Sequence, residues 1–332
     1  MSLDVSMSAP PRVLVTGATG FIGSAVVAQL RSHGWRVRAA SRVAVSDTAA
    51  TPDEIAVERV VVGEIGPYTD WSQALTNVSH VVHAAGLAHT RRAGDEQRCV
   101  IVNVQGTERL AAQASAAGVR RMVLLSSVKV HGEATHGVAF GRDDVPQPED
   151  HYARSKLAAE QALWSACARS RLEGAVVRLP LVYGPHVKAN FAALMRVVDR
   201  GWPLPFGSIT NRRSFLGLET ACAFIECLLV HPAAVGHAWL MADLEPLSTP
   251  ALIEALAEAL GKPSPLVRCP VWILQVAATL LGRRRALQRL TGSLEVNTAL
   301  AAELLRFQAP SDPRAQLLAM VRAYRDSHSG VQ

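Results

Sequence analysis

A tyrosine and a lysine four residues apart, in Tyr152-Ala153-Arg154-Ser155-Lys156, place a phenol and an ammonium on one face of a helix. A phenol so placed can give a proton to the oxygen of a carbonyl/alcohol pair or take one from it, and the adjacent cation lowers its pKa toward the working range. The chain has only four tyrosines and four lysines among 332 residues, so random placement would give roughly 0.05 pairs at this spacing. Thirty arginines supply the remaining basic charge, and a planar, permanently charged fork does not replace a compact ammonium. A second string, Thr16-Gly17-Ala18-Thr19-Gly20-Phe21-Ile22-Gly23, carries glycines three apart. Gly17 permits a tight turn, Gly20 lets the backbone approach a pyrophosphate, and Gly23 lets a helix pack closely on a strand. Thr19, Phe21 and Ile22 complete a loop and helix start whose N–H groups face the anion. Proton transfer at a carbonyl beside a bound dinucleotide reads as nicotinamide-dependent redox chemistry.

These groups need a scaffold, and the hydrophobic pattern supplies one. Arg12 to Thr16 reads as a strand, Phe21 to His33 as a helix and Arg36 to Ser41 as a second strand, which is the β-α-β context that gives the glycine string its meaning. Further strands are expected at Glu58 to Val62, His80 to His83, Arg121 to Ser126 and Ala175 to Leu179, with helices at Glu96 to Ala117 and Tyr152 to Arg171. Strands alternating with helices require crossovers, hence an α/β fold with a doubly wound, mostly parallel sheet. Ser126-Ser127 then lies just past a central strand, at the carboxyl edge where such sheets bind ligands. The expected division is a lead at 1–10, a Rossmann dinucleotide-binding domain at 11–180 to which parts of 213–245 can return, and a substrate-binding lobe over 181–330. In that lobe we expect helices at Phe191 to Arg200, Glu219 to Val230 and from a Thr249 cap with Pro250 to Gly261, and a strand near His237 to Met241.

The second strand ends in Ser41-Arg42, where an acidic residue would hold the ribose hydroxyls of NAD. A missing carboxylate and an added guanidinium favour a 2′-phosphate, so NADP is preferred and NAD is the alternative. Arg38 or a nearby loop is a second candidate for that contact. The net charge of +6 is spread along the chain and aromatics are only 5%, which argues against a nucleic-acid groove. Five cysteines without a Cys-x-x-Cys pair indicate neither a disulfide framework nor a thiolate metal site, and fit a reducing cytoplasm. His80 and His83 point to opposite faces of a strand, so no metal site is expected. Met1 to Pro11 lacks the pattern of a signal peptide, and Val271 to Leu281 is too short to span a bilayer. We expect the latter to be a packed helix, with Arg283-Arg284-Arg285 as its solvated basic end; contact of this region with a membrane surface is the alternative.

Together with Val81-Val82-His83-Ala84-Ala85, Asn103-Val104-Gln105-Gly106-Thr107, Leu125-Ser126-Ser127 and Arg178 to Pro185, these strings resemble the extended short-chain dehydrogenase/reductases, the nucleotide-sugar epimerase/dehydratase family. The resemblance implies that Ser127 is the catalytic serine, acting with Tyr152 and Lys156, and that Ala84, Ala85 and Asn103 line the cofactor. It implies that Asn190 contacts a nucleotide-sugar substrate and Arg213 its diphosphate, and that the protein is a homodimer. His131 stands where the family has the tyrosine of Val-Tyr-Gly. Val128-Lys129 occupies the place of the Asp-Glu pair used by the 4,6-dehydratases, so elimination of water is not expected. What the resemblance leaves is redox chemistry at C4. We expect reduction of a UDP-4-keto-6-deoxy-hexosamine in surface-polysaccharide synthesis. A 4-epimerase with tightly held NAD is the alternative, and a cofactor-sensing binding protein without turnover the lesser one.

Overall fold

Residues 11–44, 57–88, 94–243 and 245–329 are described in a computed structural model of the chain; the lead at 1–10 lies outside them. The apolar runs become strands β1 (Arg12–Thr16), β2 (Arg36–Ser41), β3 (Glu58–Val61), β4 (His80–His83), β5 (Arg121–Ser127), β6 (Glu173–Leu179), β7 (Leu181–Tyr183), β8 (Phe215–Gly217) and β9 (Ala238–Leu240). Helices α1 (Phe21–Ser32), α2 (Ser72–Leu75), α3 (Asp95–Cys99), α4 (Gly106–Ala116), α5 (His151–Ala168), α6 (Ala189–Asp199) and α7 (Leu218–Val230) run between them, followed by α8 (Thr249–Ala259), α9 (Val271–Leu280), α10 (Arg284–Thr291), α11 (Ala299–Leu305) and α12 (Pro313–Ser329).

Seven strands form one mostly parallel sheet in the order β3-β2-β1-β4-β5-β6-β9. β4 and β5 are buried along their whole length, as strands covered on both faces must be, and their centres, Val81-Val82 and Met122 to Leu125, are accordingly apolar without alternation. β1 pairs in parallel with both β2 and β4, so that Thr16 stands opposite Ala40 on one side and His83 on the other. Strand order reverses between β1 and β4, and the crevice at such a switch point, outside the carboxyl ends, is where open α/β sheets take ligands.

Contacts group the chain into two compact units, one of Met1–Leu125, Arg154–Val176 and Leu228–His237, the other of Ser126–Ala153, Val177–Cys227 and Ala238–Gln332. The change from one unit to the other recurs within β5, α5, β6 and α7, because the segments beyond the strand ends group with the later part of the chain. In the second unit β7 and β8 form a separate parallel pair, a feature the sequence pattern past Pro180 did not suggest. Its core gathers Tyr183, Phe191, Met195, Phe215, Ile253, Leu256, Met320 and Val321.

Three local expectations are corrected. The helix expected over Glu96 to Ala117 opens at Asp95 and is broken by a π-helical stretch at Val100–Gln105, where Asn103 turns its amide away from the helix toward other partners. α8 is capped by Ser248, whose hydroxyl accepts from the Ala251 N–H at 3.1 Å, while Thr249 is already helical and its own hydroxyl donates to the Leu290 carbonyl at 2.6 Å. α9, expected to be packed, buries Ala278 and half-buries Val271 and Leu274 while the rest of its residues are exposed. Among the described residues no helix is long and apolar enough to cross a membrane.

Candidate active site

β1 ends at Thr16 and the chain turns at Gly17, whose φ of +66° is the left-handed conformation that favours glycine. A Cβ there would lie 2.7 Å from the Ala85 nitrogen and 2.8 Å from the Ala84 carbonyl carbon, so β1 and the end of β4 touch backbone to backbone. A Cβ on Gly23 would overlap the Gly17 carbonyl oxygen, so α1 packs directly on the turn that precedes it. Gly20 differs. Its N–H donates to Gly17 O at 2.9 Å, and a Cβ on it would meet nothing but that same oxygen, at 3.1 Å. α1 begins there with no side-chain cap and no acidic residue in its first turn. The turn therefore leaves open space in front of uncapped N–H groups at a helix N-terminus, a cradle that fits a dinucleotide pyrophosphate.

Behind the turn, His83 is bonded on both nitrogens. Its Nδ1 is 2.7 Å from Thr16 Oγ1 and its Nε2 is 3.1 Å from Thr107 Oγ1. The Thr107 hydroxyl donates to the Asn103 carbonyl at 2.6 Å, so it accepts from His83, which places the imidazole proton on Nε2 and leaves Nδ1 to accept from Thr16. Burial, and then the Lys156 cation, push His83 down to about 3, so this ring is neutral. Asn103 is equally committed. Its Oδ1 accepts from the Leu87 N–H at 2.7 Å, and its Nδ2 donates to Leu87 O at 3.1 Å and to Ser155 Oγ at 2.9 Å. The buried amide thus joins the loop after β4 to α5, and holds the residue beside Lys156.

Tyr152 and Lys156 stand one turn apart at the start of α5. Tyr152 is half-buried, whereas Lys156 is 5% exposed and burial pushes its ammonium down to about 8 against the opposing pull of Glu160 and Cys99. A Cβ on Gly86 would crowd Asn103 Oδ1 at 3.2 Å and make an ordinary contact with Lys156 Nζ at 3.5 Å.

Ser127 closes β5, and its Oγ accepts from the Lys129 N–H at 3.3 Å. Lys129 Nζ donates to Glu133 Oε1 at 2.5 Å and to Asp150 Oδ2 at 2.9 Å. The other Asp150 oxygen accepts from the Ala153 N–H at 2.7 Å, which caps the helix carrying Tyr152. Burial raises the Asp150 carboxyl, but the Ala153 amide and Lys129 outweigh it and hold it below its ordinary value. The lysine in the family's acid position therefore clamps the segment after Ser127 to the first turn of α5. Sequence reasoning did not find this clamp, because neither the Lys129–Asp150 pair nor the cap is periodic.

The remaining expected residues are placed as follows. Ser41 donates to the Val43 carbonyl at 2.7 Å, and Arg42 is exposed, 3.5 Å from the exposed Glu64 carboxylate. Arg38 is not available as its substitute: it is bonded to Glu58 and to the carbonyls of Gln73, Ala74 and Thr76. Arg213 donates to the Gly292 carbonyl at 3.0 Å, and burial lowers its pKa. The Asn190 side chain lies outside the described residues. His131 accepts from Arg178 at 2.9 Å through Nε2, stacks on Phe140 at 5.3 Å, and is pushed down to about 4 by burial and by Arg178. Its buried Nδ1 has no hydrogen-bond partner among the described residues. Those residues contain no group of three or more metal-ligating side chains.

Residues 13–242 match the profile of the NAD dependent epimerase/dehydratase family. Over 307 residues the chain is 38% identical to a UDP-glucose 4-epimerase of Vibrio cholerae, covering 91% of this chain and 92% of the relative. It is 35% identical over 182 residues to a dTDP-6-deoxy-L-talose 4-dehydrogenase (NAD(P)(+)) of Kitasatospora kifunensis, about half of each chain. Among solved structures, MoeE5 in complex with UDP-glucose and NAD superposes with a TM-score of 0.76 at 26% identity, covering 96% of this chain and 99% of that one.

Proposed function

We propose a reaction for this chain, which belongs to the NAD dependent epimerase/dehydratase family: oxidation or reduction at C4 of a UDP-linked sugar, in the net direction of reducing a UDP-4-keto-6-deoxy-hexosamine with NADPH. The observation that carries the chemistry is the buried Lys156 ammonium one helical turn from Tyr152. A cation out of water beside a phenol favours the phenolate, and so sets the phenol's readiness to exchange a proton near neutral pH. The dinucleotide, when bound, supplies the hydride that C4 receives. Tyr152 gives the proton that turns the C4 carbonyl oxygen into a hydroxyl, Ser127 orients that oxygen by hydrogen bonding, and Lys156 holds the cofactor's ribose while it stabilises the phenolate left behind. Ser41 and Arg42 support NADP: there is no carboxylate at 41–44 to repel a 2′-phosphate, and an exposed 3.5 Å ion pair such as Arg42–Glu64 is weak enough to be exchanged for one.

The second reading is a 4-epimerase that retains NAD, favoured by the 38% identity to a protein of that name. Cofactor consumption separates the two. A reductase oxidises one NADPH per keto sugar reduced, and the cofactor absorbance falls accordingly. An epimerase interconverts UDP-glucose and UDP-galactose with no added cofactor and no net change in absorbance. Tyr152→Phe should lower either rate by about 10² to 10⁴ with an unchanged melting temperature. An unaltered rate would reject the proton-transfer role, and with it both readings.

A further inference from the structure

The ten residues of α9 have two apolar faces. Val271, Leu274 and Ala278 are at least half-buried and turn toward the protein. Trp272, Ile273, Val276 and Leu280 recur at helical spacing on the other side and are 64%, 40%, 53% and 82% exposed, with Leu281 continuing the stripe at 71%. Large apolar side chains exposed in one contiguous stripe mark an interaction surface rather than ordinary surface scatter.

Charge identifies the partner. From Ala259 to Leu294 the sequence has no aspartate or glutamate and carries Lys262, Arg268, Arg283, Arg284, Arg285 and Arg289. Lys262 is paired with Asp199, and Arg289 lies 3.7 Å from Glu133. Arg283 and Arg284 are exposed at the turn where the apolar stripe ends and α10 begins. An apolar helix face bordered by Arg283 and Arg284, which form no ion pair among the described residues, matches a surface of acyl chains under anionic headgroups. At about 15 Å long, α9 cannot span a bilayer and would lie in the plane of its interface. A two-fold contact with a second copy would cover the apolar stripe but, since this stretch has no acidic residue to offer, would give the arginines no counter-charge from it.

We propose that α9 and the start of α10 form a docking surface for an anionic phospholipid bilayer, holding the enzyme on the membrane face without a spanning segment. The proposal does not depend on which C4 reaction the active site performs. It is tested with the full chain and two sets of vesicles, pure phosphatidylcholine and phosphatidylcholine with phosphatidylglycerol at two to one, by flotation and by tryptophan fluorescence. The parent should float with the anionic vesicles at low salt and not with the neutral ones, and should be released as salt rises. Arg283→Gln and Arg284→Gln should each weaken binding about fivefold, and the pair about 25-fold. Trp272→Asp with Leu280→Asp should abolish it while leaving turnover of a soluble substrate at the parent rate. The arginine variants alter no apolar contact, so they decide the matter even if the aspartate pair fails to fold. Parent protein that stays with the buffer, arginine variants that bind as well as the parent, or variants that instead lose a dimer seen in the parent without any vesicle binding would each overturn the proposal.

Discussion

Replacing Lys156 by methionine should make the protein more stable and nearly inactive. The ammonium is 5% exposed and held at about 8, against an ordinary 10.5, by burial above all. At about 1.4 kcal/mol per pH unit, the folded state at pH 7 carries a penalty of about 3 kcal/mol relative to the unfolded chain. Methionine fills a similar length without the charge but takes an attractive cation from the buried Glu160 carboxylate, so Lys156→Met should recover only part of this, about 1 to 2 kcal/mol, or a rise of about 2 to 4 °C in Tm. The sign with pH follows from a depressed lysine: the unfolded state binds more protons between about 8 and 10.5, so the parent gains stability as pH rises through that window. The advantage of the variant is therefore full below about 8 and vanishes by 10.5. Thermal melts of nucleotide-free parent and variant at pH 7 and near pH 10.5, with kcat/KM lowered by about 10² to 10⁴, check both halves. A variant that melts no higher than the parent at pH 7, or whose margin is the same at both pH values, would refute the desolvation argument.

Other substitutions separate binding from folding. Gly20→Ala, which meets only the Gly17 oxygen, should keep the parent Tm and raise the KM for the dinucleotide about tenfold or more, whereas Gly23→Ala, which overlaps that oxygen, should lower Tm or soluble yield outright; equal melts for the two would contradict the packing. Asp150→Ala should cost about 1 to 2 kcal/mol as a lost cap and ion pair, and Asp150→Asn, which can still cap Ala153, less than about 1. Both should lower kcat by loosening Tyr152, and because the Asp150 carboxyl is depressed its contribution persists above its unfolded pKa and is lost as pH falls below about 3.8, so the variants and parent should converge in strong acid. Arg42→Ala should raise the KM for NADPH about tenfold and leave that for NADH unchanged; a parallel change in both would place the 2′-phosphate elsewhere.

What was legible in the sequence shares one property: it is encoded by residue type at short spacing. β1, β2 and β4 match their expected limits because their short apolar stretches, Val13 to Val15, Val37 with Ala39-Ala40, and Val81-Val82, are bracketed at once by polar side chains that leave little choice of boundary, and the glycine string and the Tyr152–Lys156 pair are local by construction. What was not legible depends on partners distant in the chain. The π-helical stretch follows from Asn103 bonding to Leu87 and Ser155, 16 and 52 residues away. Ser248 takes the cap of α8 because the Thr249 hydroxyl is drawn to Leu290, 41 residues on. α9 misled because its composition is apolar on every side: periodicity shows that such a helix has an inner face, but not that its outer face lacks a cover.

The setting of Lys156 explains why a histidine lies so close to a required cation. His83 would oppose Lys156 if it carried charge, yet both its nitrogens are bonded to threonine hydroxyls, and burial with the lysine holds it at about 3. A neutral ring fixed in one tautomer costs the ammonium nothing in repulsion. It also links Thr16 at the end of β1 to Thr107 on α4, and Thr107 in turn bonds the Asn103 carbonyl, while the Asn103 side chain bonds Ser155 beside the lysine. Hydroxyls and amides thus connect the glycine turn to α5 through groups that do not titrate near neutral pH. An inflection of the rate between about pH 6 and 9 is accordingly not that of His83, whose protonation belongs to the acid limb, whereas Lys156, held at about 8, titrates within that window.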